Sequence, residues 1–95
     1  MRDTLDLVLK EKWYRMIESG EKTEEYREIK PFWEKRMQNC RDRHYDKVTF
    51  HLGYAKDRPS MTFALDKIMI NKGKPEWGAE EGKLYFVIHL GQRLS

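Results

Sequence analysis

Three segments of this chain alternate along their length with period two, and that restricts its fold more than any other feature. Leu5, Leu7 and Leu9 fall on one face and Thr4, Asp6 and Val8 on the other; Val48, Phe50 and Leu52 oppose Lys47, Thr49 and His51; Leu84, Phe86, Ile88 and Leu90 share one face of the segment from Lys83 to Leu90. A period of two places one face of an extended strand on a core, so all three segments are expected as strands with these apolar faces inward.

Helical spacing is confined to the first part of the chain. From about Lys10 to Ser19, Trp13, Met16 and Ile17 stand at i, i+3 and i+4, which predicts a helix with that face inward, and Gly20 follows where a C-terminal cap needs positive φ. The run PFWEKRMQ from Pro31 suits a second short helix with proline in its first turn, and Phe32, Trp33 and Met37 are available to cover one end of a sheet. Lys22 to Glu28 is expected to be extended, Arg41 to Asp46 to be a polar connection, and Met61 to Ile70 to be a strand antiparallel to Lys47 to Leu52 across the turn GYAKDRP. Asn71 to Gly82 is a loop by its glycines and proline. The echo of FHLG in VIHLG is shared strand grammar rather than a repeat.

Five or six strands and two short helices in 95 residues fit one α+β domain, residues 1 to 95, with a small β-barrel core. A doubly wound sheet would need helices between strands throughout. The single cysteine, Cys40, rules out an internal disulfide, and with three scattered histidines it gives no pair at zinc-ligand spacing, so no metal and no cofactor is expected. Cys40 also lacks a histidine or aspartate partner that would mark it as a nucleophile. No basic segment, apolar run and cleavage site resembles a signal peptide, and no stretch approaches the ~20 apolar residues of a membrane span. A cytoplasmic protein with no membrane partner is expected.

Glu21 to Arg27, directly after Gly20, holds five formal charges in seven positions. On an extended backbone Glu25 and Arg27 project from one face. Lys22, if still in the turn, can curl back to join them, so that a carboxylate fixes a guanidinium beside a mobile ammonium. An ordinary exposed ion pair would contribute only about 0–1 kcal/mol.

Gly20, Lys22, Glu25 and Arg27 match the G-x-K-x-x-E-x-R signature of the ASCH domain, a member of the PUA-like group of β-barrel folds. Around them, LDLVL and KWYRMIES resemble the family's opening strand and helix, and KPFWEKR, VTFHLGYAKDRPSMTF and KPEWGAEEGKLYFVIHLG resemble its compact bacterial and phage-type versions almost end to end. The resemblance implies a barrel with a cleft beside the first helix, floored partly by these four residues, and binding of RNA or a modified nucleotide or nucleoside. Lysine and arginine suit phosphate and base acceptors, and a carboxylate suits exocyclic amines. Net charge of only +3 argues against tight sequence-independent grip on long duplexes.

The alternative is a small hydrolase using Lys22, because some ASCH-like proteins are amidohydrolases of N4-acetylcytidine and others are proposed ribonucleases. The amidohydrolases have threonine where Glu25 stands and need a later glutamate, for which Glu76, Glu80 and Glu81 are candidates. Thr23 is present but on the wrong face of the expected strand. Tyr54 and Arg58, with Lys56 on the same turn, form an aromatic and cationic group able to stack a base and hold a phosphate. His51 and His89 stand at related places in two strands and are candidates to meet across the sheet. Trp13 and Trp33 are assigned to packing and Trp77 to anchoring its loop, with capping of the cleft as its other role.

Overall fold

The computed structural model describes residues 3–35 and 45–95. The expectations for Met37, for Cys40 and for Arg41 to His44 lie outside the described residues, and Tyr45 and Asp46, expected in the same polar connection, are extended instead. Five strands form one sheet: β1 (Asp3–Leu9), β2 (Glu24–Glu28), β3 (Tyr45–Leu52), β4 (Ser60–Lys72) and β5 (Leu84–Arg93). Helix α1 (Glu11–Glu18) follows β1, residues 31–35 are helical, and a 3-10 turn spans Pro75–Trp77.

The strand order is β1-β3-β4-β5-β2, with β1 parallel to β3 and every other pair antiparallel. β1 and β2 are therefore the sheet's two edges, yet Arg27 Nη2 of β2 donates to Val8 O of β1 at 3.1 Å. A side chain can span both edges only if the sheet curls back on itself. The architecture is thus α+β, a curled five-stranded half-barrel with two short helices.

The curl encloses the core. Leu5, Leu7, Val48, Phe50 and Met61 are buried as the alternation requires, with Phe86 and Ile88 of β5 facing them. Two expectations need correction. Leu84 is 51 % exposed, because it lies at the end of β5, while Tyr85, Phe86, Val87 and Ile88 are all buried. β5 lies between β4 and β2, and its second face is covered by Ala79 and Tyr26, so burial there does not alternate. In α1 the buried residues are Tyr14 and Ile17, while Trp13 and Met16 are half-buried. The helix is turned so that its two largest buried side chains meet the sheet and Trp13 sits at the flank.

Candidate functional site

Gly20, at φ 87°, ends α1, and the Lys22 amide turns back to donate to Met16 O at 2.9 Å. The turn holds Lys22 against the helix before β2 begins. Glu25 and Arg27 lie opposite Ile88 and Phe86 of β5, two core residues, so both project into the curl of the sheet. Local geometry then closes a three-residue cluster. Lys22 Nζ donates to Glu25 Oε1 at 2.9 Å, and Arg27 Nη2 lies 2.9 Å from Glu25 Oε2. Lys22 is 2 % exposed and Glu25 6 %, so this is a buried ionic network rather than a solvated pair.

The cluster floors a cavity of about 370 Å³. All three tryptophans of the chain line it, one from α1, one from the helical residues 31–35 and one from the 3-10 turn. Tyr26 and Tyr85 complete the aromatic lining. Lys22 Nζ lies 4.6 Å from the ring centre of Trp13 and 5.6 Å from that of Tyr26, and the Arg27 guanidinium lies 5.2 Å from that of Trp33. These are contacts that a desolvated cation makes with ring faces.

Arg27 is the most accessible of the three cluster residues, its side chain 21 % exposed. Its buried Nε has no hydrogen-bond partner among the described residues. The guanidinium is therefore one hydrogen bond short of satisfaction.

The loop that forms the far wall is tied at both ends by tyrosine hydroxyls. Tyr26 Oη accepts from the Lys74 amide at 3.0 Å and donates to Glu24 at 2.8 Å, and Tyr85 Oη accepts from the Glu80 amide at 2.9 Å. Burial pushes the Tyr26 hydroxyl well above the usual phenol range, with Glu24 adding to the shift, so it remains a donor. At the rim, hydrogen bonds from Lys83 and then Lys30 hold the Glu28 carboxyl below its usual range, and the Glu28 bond raises Lys83.

Gly78 packs this loop on α1. It sits at φ 103°, and a Cβ there would lie 3.0 Å from Trp13 Cζ2. Gly78→Ala is therefore expected to displace Trp13 or the turn, costing about 1–2 kcal/mol of stability. A thermal melt should show the midpoint lowered by roughly 4–15 °C, with altered tryptophan fluorescence in the folded state.

Of the residues singled out in the sequence, Lys22, Glu25 and Arg27 come together, and Gly20 shapes the turn without lining the cavity. Tyr54, 86 % exposed, and Arg58, whose Nη1 donates to Gly53 O at 3.1 Å, lie on the β3–β4 turn and are not part of the cavity lining. His51 pairs with Asp6 at 2.9 Å and His89 with Glu24 at 3.3 Å; β4 separates their strands, so the two do not meet. Thr23 is exposed, and Glu80 is the one of the three later glutamates that lines the cavity. Among the described residues no group of three His, Cys, Asp or Glu side chains could hold a metal ion, and no helix is long and apolar enough to cross a membrane.

The cavity roles of Trp13 and Trp33 are what the sequence reading missed. Trp13 and Trp33 were assigned to packing, and although Trp33 does pack against the core, both also line the cavity. One signal was available: none of the three tryptophans occupies an inward position of an alternating strand. No protein-family model, curated protein or solved structure matches the chain.

Proposed function

We propose that this chain is a binding module for RNA or a modified nucleotide or nucleoside, with the base received in the cavity above Lys22, Glu25 and Arg27. The observation that carries the reading is the junction of a buried ionic cluster with an aromatic-lined cavity of about 370 Å³, a size and lining suited to one planar heterocycle. Aromatic faces stack bases of any sequence, and a guanidinium held in place by a carboxylate presents donors to a base carbonyl. The resemblance of Gly20, Lys22, Glu25 and Arg27 to the ASCH signature, and of the curled sheet to a PUA-like barrel, supports the same reading.

The buried pair Lys22 and Glu25 acts here as a support, and Arg27, the more exposed group, makes the contact. Lys22 has a carboxylate and two ring faces as neighbours, which hold it within the cluster.

A hydrolase reading, on N4-acetylcytidine or RNA, draws on the presence of Glu80 in the same cavity as Lys22. One experiment separates the two. Purified protein is incubated with nucleosides, acylated nucleosides and short RNAs, with binding read by calorimetry and turnover by mass spectrometry. Saturable binding with every ligand recovered intact is the expected result; release of acetate or cleaved RNA, lost in Lys22→Arg, reverses the assignment.

A further inference from the structure

The charges around the cavity narrow the class of ligand, an inference that rests on the reading of the cavity as a nucleobase site. Four cations line it, Lys22, Arg27, Lys30 and Lys83, against three carboxylates, Glu25, Glu28 and Glu80, leaving a formal excess of one positive charge. Every one of the four cations is already committed to a carboxylate of the same lining. Glu25 takes Lys22 and Arg27, each at 2.9 Å. Glu28 takes Lys30 at 3.4 Å and Lys83 at 3.3 Å.

A phosphate site works differently, by presenting cations and N–H groups whose charge the ligand itself neutralises. A phosphate entering this cavity would compete with Glu25 or Glu28 for their cations and would share the space with Glu80. At Glu25 the exchange is most costly, because that carboxylate is buried. An uncharged heterocycle meets no such opposition. It stacks on the aromatic walls, offers a carbonyl to the Arg27 guanidinium and leaves the ion pairs intact.

We infer that the cavity selects an uncharged nucleobase or nucleoside and discriminates against its phosphorylated forms. The commitment of all four lining cations to two glutamates is the specificity device, and Glu80 reinforces it by repulsion.

The test is calorimetry of the full chain with a panel of common and acylated nucleosides and their 5′-monophosphates, at about 50 mM and about 300 mM salt. A nucleoside is expected to bind at least about tenfold more tightly than its monophosphate, and its Kd to change by less than about twofold with salt. Glu80→Gln should narrow the gap between nucleoside and monophosphate by raising monophosphate affinity roughly threefold. A monophosphate that binds as tightly as its nucleoside or tighter, and weakens with salt, overturns the inference while the nucleobase reading stands. Absence of binding by every nucleoside and nucleotide overturns both.

Discussion

Glu25→Ala is expected to destabilise the fold by roughly 3–5 kcal/mol, the range measured when one partner of a buried ionic network is removed. Glu25 is the shared acceptor: one oxygen holds Lys22 and the other holds Arg27. Its loss leaves the Lys22 ammonium, 2 % exposed, with ring faces but no counter-charge. For a domain of 95 residues the melting midpoint should fall by more than about 12 °C. The double variant Lys22→Met, Glu25→Leu removes both buried charges and fills the space with apolar atoms, so it should recover most of the loss. Equal destabilisation by the single and double variants would show that the network is not what the site costs to break.

Arg27→Ala should act on binding more than on folding. Glu25 keeps Lys22 in this variant, so no buried charge is orphaned, although the bond that Arg27 makes to Val8 O across the sheet edges is lost. A hydrogen bond from a charged donor to the ligand is worth about 1.5–3 kcal/mol, which corresponds to roughly 10- to 150-fold in Kd. Arg27→Lys should rescue little, since an ammonium cannot reproduce a planar guanidinium set between Glu25 and the face of Trp33. Calorimetry of both variants, with melts to confirm the fold, checks the split. Full affinity in Arg27→Ala would remove Arg27 from the ligand contact.

The parts of this architecture that are local in the chain were legible, and those that depend on distant packing were not. The alternations in β1 and β3 marked core residues correctly because each of these strands buries one face. In β5 the same logic failed at Leu84, Tyr85 and Val87, since coverage of its second face comes from Ala79 and Tyr26, and no period in β5 encodes that. The Lys22, Glu25 and Arg27 cluster was readable because a glycine cap and a strand period suffice to bring three nearby side chains together. Its aromatic walls come from α1, residues 31–35 and the 3-10 turn. Their convergence follows from the sheet order, which the sequence does not carry locally. The placing of Tyr54 and Arg58 depended in the same way on which end of the sheet their turn would occupy.

Because every tryptophan in the chain lines the cavity, the indole N–H resonances report on it directly. A nitrogen–proton correlation spectrum recorded during titration with the nucleoside that binds most tightly should show all three indole signals shifting and saturating together. Backbone amides from Lys22 to Glu28 should move with them, while those from Tyr54 to Arg58 stay in place. Saturable shifts confined to the Tyr54 to Arg58 turn or to another surface, with the three indoles unmoved, would contradict the assignment of the cavity as the binding site.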